Sequence, residues 1–144
     1  MLIGIDSRIS PELLSVLYRM GHGDELVLAD AFFPGETFNA RVVRADGLRI
    51  PELLDGILRL INLDAYVPDP LIMMAPVPGD SLDPAVESAY RVPIDRRWPG
   101  SPPIARLERF AFYERAKTAF AVVMTGETVK YGNLILKKGV PPVG

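Results

Sequence analysis

Residues 10–30 read SPELLSVLYRMGHGDELVLAD, a stretch in which a helix pattern, a glycine-rich turn and a strand pattern follow one another. Ser10-Pro11-Glu12 is typical of a helix start, because serine caps free N–H groups and proline fits the first helical position. Apolar residues then recur every three or four positions up to Met20, which predicts an amphipathic helix that ends before His22. Leu26–Ala29 is a short apolar run, typical of a strand covered on both faces. The stretch therefore predicts a helix packed on a buried strand.

The same alternation continues toward the carboxyl terminus. The pattern predicts further strands over 38–43, 71–75, 120–125 and 134–136. It predicts further helices from 51 to 61, from 85 to 91 after the cap Asp83-Pro84, and from 109 to 119, and a proline-rich loop over 93–103. Alternating helices and strands indicate a layered α/β domain. We predict a single domain over residues 1–144, with three α/β/α layers around a central sheet. The pattern does not fix strand direction, and a mixed sheet is the expectation.

Composition excludes several classes of protein. Hydrophobic residues make up 49% of the 144 residues, which is enough to build a core without disulfides. The chain has no cysteine, which excludes thiolate nucleophiles and cysteine-based metal sites and favours the cytoplasm. A net charge of −2 with scattered basic residues argues against nucleic acid as a partner. No apolar run approaches the ~20 residues that cross a membrane, and we expect a soluble protein without a targeting segment.

Cofactor chemistry also lacks a motif. A metal site would have to rely on carboxylates, because the chain has one histidine, and no spaced series of acidic residues is present. The glycine-rich loops that bind nucleotide phosphates are missing, and no serine lies in a nucleophile-elbow motif. We therefore expect neither a metal nor a cofactor, and a neutral small molecule as the ligand.

Three side chains are candidates for a site on local sequence alone. His22 is the only histidine and lies between two glycines, although a histidine in such a turn is commonly a surface or capping residue. Asp30 follows a buried strand, where ligand sites of α/β sheets collect, but a turn acid is an equal reading. Arg109 begins a helix pattern of aromatic and charged residues, and this position leaves it able to face a pocket.

Five ordered blocks of the sequence resemble one known family. They are Gly21-His22-Gly23-Asp24-Glu25, Asp30-Ala31 with Pro34, Arg44-Ala45-Asp46-Gly47, the stretch from Arg109 to Ala116, and Thr125-Gly126-Glu127 with Tyr131-Gly132-Asn133 and Lys137-Lys138-Gly139-Val140. Together they resemble the L-fucose mutarotases, and the likeness spans nearly the whole chain. The wider family includes the D-ribose pyranases, but the glycine inside the Tyr-Gly-Asn turn and the block at Arg109 resemble the fucose branch.

The resemblance implies a function and a site. It implies an isomerase of a free monosaccharide that works without a cofactor, with His22 as the acid. Asp30, Arg109 and the turn Tyr131-Gly132-Asn133 would bind the sugar. It also implies a homo-oligomer, commonly a ring-shaped decamer, with sites near the subunit boundaries. Two alternatives stay open: a pyranase that interconverts ribose ring forms, and a sugar-binding or scaffold protein in which His22 only caps a turn.

Overall fold

A six-stranded mixed sheet forms the centre of the computed structural model, which describes residues 1–142; positions 143 and 144 of the predicted domain lie outside the described residues. The strands are β1 (Glu25–Ala29), β2 (Val42–Ala45), β3 (Leu71–Met74), β4 (Ala105–Leu107), β5 (Ala121–Thr125) and β6 (Leu134–Lys137). The helices are α1 (Pro11–Arg19), α2 (Gly35–Phe38), α3 (Ile50–Ile57), α4 (Pro84–Arg97) and α5 (Arg109–Thr118).

Strand directions confirm the mixed sheet. The order is β2-β5-β1-β6-β3-β4. β6 runs antiparallel to its neighbours β1 and β3, and the remaining pairs are parallel. The carboxyl ends of the parallel strands therefore meet at one edge of the sheet, and the start of β6 joins them there. The end of β6 lies at the opposite edge, beside the start of β1.

The two faces of the sheet carry separate apolar cores, which confirms the three layers. On β1, Leu26 and Leu28 pack into a core shared with α1, α3 and α4. Val27 and Ala29 pack on the opposite face, in a core that includes Phe112 of α5. Alternate side chains of a strand point to opposite faces, so a strand buried throughout needs helices on both sides.

The predicted helix starts are confirmed at two caps. The Ser10 hydroxyl accepts a hydrogen bond from the backbone N–H of Leu13 at 3.1 Å. Asp83 accepts one from the backbone N–H of Ala85 at 2.9 Å, and a proline follows each cap. Each cap satisfies an N–H group that the first helical turn leaves without a partner.

The prediction of a strand over 38–43 is wrong at its start. Phe38 ends the short helix α2, and the strand begins only at Val42. The apolar character of Phe38 serves an aromatic cluster, in which its ring lies 5.8 Å from that of Phe33 and 4.9 Å from that of Tyr113. The contact with Tyr113, which is distant in sequence, overrides the local strand pattern.

The predicted loop over 93–103 is also partly wrong, because α4 continues through Pro93 to Arg97. Ile94 is fully buried in the core shared by α1, α3 and α4, and Arg97 pairs with Asp55 of α3 at 3.1 Å. These contacts hold the last turns helical. Strand β4, only three residues long, was not predicted. No helix within residues 1–142 is long and apolar enough to cross a membrane.

Candidate active site

A cavity of about 320 Å³ opens at the edge where the parallel strands end. Asp30 follows β1, Asn133 precedes β6, and Arg109 begins α5, so three separate elements bring polar groups to one place. Tyr131 and Lys130 complete the polar lining. The remaining wall is apolar or aromatic and consists of Phe32, Phe33, Pro34, Met74, Val77 and Tyr113. We call this cavity the Asp30 pocket.

Asp30 is held in the wall of the pocket by its neighbours. Its backbone N–H donates to Oδ1 of Asn133 at 2.7 Å, and its own Oδ1 accepts from the backbone N–H of Phe32 at 3.0 Å. Burial raises the pKa of the Asp30 carboxyl, against the opposing effect of hydrogen bonds from Phe32, Phe33 and Asn133. A carboxylate with a raised pKa is a stronger base than an ordinary one.

The turn at 131–133 shapes the wall beside Asn133. Tyr131 adopts a left-handed backbone conformation with φ 57°, and its hydroxyl donates to Oδ2 of Asp80 at 2.7 Å. The Tyr90 hydroxyl donates to the carbonyl of Gly132 at 2.7 Å. A Cβ at position 132 would lie 2.9 Å from that hydroxyl oxygen, so the turn requires glycine. Gly132 therefore supports the pocket from behind, while the ring of Tyr131 lines it.

Arg109 faces the pocket, as its place at the start of the helix pattern suggested. Its Nε donates to the hydroxyl of Tyr113 at 3.1 Å, and its guanidinium lies 5.3 Å from the centre of the Phe110 ring. These contacts orient a planar cation with five N–H donors, a group suited to hydroxyl oxygens or other acceptors of a polar ligand.

His22 lies at the other end of β1, away from the Asp30 pocket. The strand that separates His22 from Asp30 is about 13 Å long at about 3.3 Å per residue. The imidazole Nε2 lies 3.1 Å from Oδ1 of Asp64, and the ring centre lies 5.4 Å from that of Tyr66. The His22 side chain is 44% exposed. The structure thus brings Asp30, Arg109, Tyr131 and Asn133 together, but not His22 with them in one copy of the chain.

Sequence reasoning missed two buried carboxylates, one that contacts His22 and one that stabilises the loops near the Asp30 pocket. Asp64 lies behind His22, and Glu127 braces the loops near the pocket by accepting from Arg49 at 2.9 Å. The backbone carbonyl of Glu127 also accepts from the N–H of Ala31, next to Asp30. Glu127 belongs to a block that carried the resemblance, whereas Asp64 is 42 positions from His22 and no local pattern joins them.

These features first define a class: an α/β protein with a polar small-molecule pocket at the carboxyl ends of its parallel strands. The particular family follows from comparison with known proteins. The chain belongs to the RbsD / FucU transport protein family, whose family model matches residues 3–141.

The relatives of the chain include curated enzymes and a solved complex. The chain is 58% identical to the L-fucose mutarotase of Actinobacillus pleuropneumoniae serotype 5b (strain L20) over 143 residues, covering 99% of each chain. It is 59% identical to the L-fucose mutarotase of Histophilus somni (strain 2336), again over 143 residues and 99% of each chain. The crystal structure of the fucose mutarotase in complex with L-fucose from Streptococcus pneumoniae matches it with a TM-score of 0.93 and 47% identity, covering 98% of this chain and 100% of that one.

Proposed function

We propose that this protein is an L-fucose mutarotase, an isomerase that interconverts the α- and β-anomers of the free sugar. The observation that carries the proposal is the convergence of Asp30, Arg109 and Asn133 on one cavity. A carboxylate, a guanidinium and an amide offer both acceptors and donors to sugar hydroxyls. The relatives named above, nearly full-length and called L-fucose mutarotases, support fucose as the sugar.

The reaction needs two proton transfers and nothing else. A proton reaches the ring oxygen, the bond from that oxygen to the anomeric carbon breaks, and the anomeric hydroxyl gives up its proton to leave an open-chain aldehyde. Rotation about the adjacent carbon–carbon bond and the reverse steps close the ring on the other face. Positioned acids and bases contribute about 10²–10⁴-fold to such steps.

The two roles are divided between Asp30 and His22. Asp30 takes the anomeric proton, because burial raises the pKa of its carboxyl and it lies in the wall of the pocket. His22 delivers the proton to the ring oxygen. Imidazole suits this role, since it exchanges protons near neutral pH in its ordinary state. Arg109 and Asn133 fix the hydroxyls, and the Tyr131 ring covers the C–H surface of the sugar.

A second copy of the chain supplies the acid. His22 lies one strand length from the pocket of its own copy, and its side chain is exposed. The neighbouring Tyr66 is 82% exposed, and Phe32 at the rim of the Asp30 pocket is 77% exposed. Large exposed aromatic groups on both surfaces are typical of protein interfaces. We therefore extend the proposal to a ring-shaped homo-oligomer, a decamer, in which His22 of one copy enters the Asp30 pocket of its neighbour.

Two further expectations belong to the same proposal. Residues 1–144 act as one domain, which is consistent with a single sheet through the part of the chain that the structure describes. The protein works in the cytoplasm on a free monosaccharide, which fits a chain without cysteine.

Exchange NMR tests the proposal directly. Saturation transfer between the anomeric protons of L-fucose is measured with the wild-type protein and with His22→Ala, and D-ribose is measured beside it. We expect faster fucose exchange with the wild type and the uncatalysed rate with the variant. A response to ribose alone would replace the proposal by the pyranase function. Binding of fucose without any exchange would leave a sugar-binding protein.

A further inference from the structure

The buried carboxylate of Asp64 contacts the imidazole of His22. Oδ1 of Asp64 lies 3.1 Å from Nε2 of His22, and the Asp64 side chain is 4% exposed. The same oxygen accepts from the backbone N–H of Tyr66 at 2.9 Å, and the backbone N–H of Asp64 donates to the carbonyl of Lys137 at 2.9 Å. Hydrogen bonds thus fix the Asp64 carboxylate at the end of β6, and the exposed imidazole contacts this fixed group.

The charge state of Asp64 decides which nitrogen of His22 carries a proton. The hydrogen bond from the Tyr66 N–H and the contact with His22 lower the pKa of the Asp64 carboxyl, which is therefore ionised at neutral pH. An ionised carboxylate only accepts hydrogen bonds. Nε2 must then be the protonated nitrogen, and Nδ1 is left for a ligand.

We propose that Asp64 is a positioning residue for the acid of the mutarotase reaction: it holds His22 through Nε2–H and presents Nδ1 to the sugar. This inference rests on the proposed function. The acid is the cationic form of His22, which carries a proton on Nδ1 as well as on Nε2. During ring opening, the Nδ1 proton passes to the ring oxygen and the neutral ring keeps its Nε2–H bond to Asp64; Nδ1 recovers the proton when the ring closes. A buried aspartate that orients a catalytic imidazole has the same role in hydrolytic triads.

The neighbouring carboxylate of Asp24 offers a matched control. It is two residues from His22, but its Oδ2 accepts from the backbone N–H of Gly21 at 2.7 Å rather than from the imidazole. Asp24→Asn therefore removes one negative charge close to His22, as Asp64→Asn does, without removing the carboxylate that contacts the ring. The two variants separate loss of the support from loss of a nearby charge.

Kinetics of Asp64→Asn provides the first test. Asparagine keeps an acceptor for the Tyr66 N–H but loses the charge. We expect kcat for fucose exchange to fall about 10- to 100-fold, part of the about 10²–10⁴-fold that a positioned acid contributes, with KM nearly unchanged. Asp24→Asn should stay close to the wild type. In a His22→Ala background, Asp64→Asn should cause no further loss, because residues that act as a unit are not additive. An unchanged kcat, a rise in KM alone, or an additive loss would overturn the inference.

Nitrogen NMR of the wild-type protein gives a test that is independent of activity and of the variant's folding. The chain has one histidine, so ¹⁵N-histidine labelling yields a single imidazole. We expect the proton of the neutral ring on Nε2. A neutral ring protonated on Nδ1 would overturn the role of Asp64, whatever the activity on fucose. If instead the proton is on Nε2 and the wild type fails to speed fucose exchange, the proposed function fails while the contact between Asp64 and His22 stands.

Discussion

The two ends of strand β1 differ in what they offer to a ligand. At its carboxyl end, Asp30 lines a cavity with Arg109 and Asn133, groups that suit binding and removal of a proton. Before its amino end, His22 is exposed on the surface and backed by the buried Asp64. One end has a pocket, and the other has the imidazole. The comparison teaches that the groups of the proposed reaction lie at opposite ends of one strand. We propose that they are two half-sites, which become a whole site only between copies of the chain.

The direction of β6 explains why both half-sites are built on the same two strands. β6 is antiparallel to β1, with Leu28 opposite Leu134 and Glu25 opposite Lys137. The residue before β6, Asn133, therefore reaches Asp30, and the residues after it lie beside the His22 turn. Lys138 fixes that turn, because its backbone carbonyl accepts from the N–H of Gly23 at 2.8 Å.

The largest expected effect comes from mixing two inactive variants. His22→Ala leaves the pocket intact and Asp30→Asn leaves the imidazole intact, and we expect each alone to lose about 10²–10⁴-fold in fucose exchange. When the two are co-expressed with different tags and purified by both, about a quarter of the shared sites combine an intact His22 with an intact Asp30. Exchange NMR should then show about a quarter of the wild-type rate.

The mixture also contains its own control. Each variant, co-expressed with a differently tagged copy of itself, should stay inactive after the same purification. If the mixed oligomer is as inactive as these, the two half-sites do not complete one another, and the comparison of the two ends fails.

A smaller effect should separate binding from proton delivery. Arg109→Met removes donors from the pocket and leaves ligand acceptors without partners, which costs about 1–3 kcal/mol, or about 5- to 150-fold in Kd for fucose. His22→Ala should leave Kd within about twofold, because binding is concentrated at the pocket end. Calorimetric titration measures both. Arg19→Met, an exposed arginine on α1, is the control and should bind as the wild type. An equal weakening of fucose binding by Arg109→Met and His22→Ala would contradict the separation of binding from proton delivery.

Local sequence patterns predicted the elements that local physics determines. The cap at Ser10 and the apolar run Leu26–Ala29 each carry their signal within a few residues, and both are confirmed. Helix α2 was missed because Phe38 packs on Tyr113, a ring distant in sequence. Strand β4 was missed because three residues give too short a pattern.

The residues of the candidate site also fall into those that local sequence patterns indicate and those that only long-range contacts bring together. Asp30 and Arg109 could be proposed because a strand end and a helix start are visible in the sequence, and the family pattern supplied their roles. The support from Asp64 could not be predicted, since long-range backbone contacts, the pairing of Leu63 with Lys138 and the hydrogen bond from Asp64 to Lys137, bring that carboxylate to His22. The distance between His22 and Asp30 follows from strand β1, which lies between them and which the apolar run Leu26–Ala29 predicted.

The smallest expected effect concerns the rim of the Asp30 pocket and its response to acid. Oδ2 of Asp80 lies 2.6 Å from Nζ of Lys130 and accepts from the Tyr131 hydroxyl, which in turn accepts from the backbone N–H of Val77. Hydrogen bonds from Lys130, Tyr131 and Ser81 lower the pKa of Asp80 to about 2. A carboxyl whose pKa is lower in the folded chain stabilises the fold above its ordinary value of 3.8 and loses this contribution as the pH falls through about 2.

The contacts of Asp80 with Lys130 and Tyr131 at the rim should therefore weaken in acid. The His22 end of the strand takes no part in these contacts. We expect the amide resonance of Val77 to shift between pH 4 and 2 in the wild type and to stay constant in Asp80→Asn. Asp46→Asn removes a carboxylate that is also paired with a basic side chain, that of Arg44, and should leave the Val77 titration unchanged. The effect on stability is small, because solvent screens an exposed pair. A Val77 titration that survives between pH 4 and 2 in Asp80→Asn would show that another group controls the rim. Asp30 would not be that group, since burial raises the pKa of its carboxyl from the ordinary value of 3.8 and places its titration at higher pH.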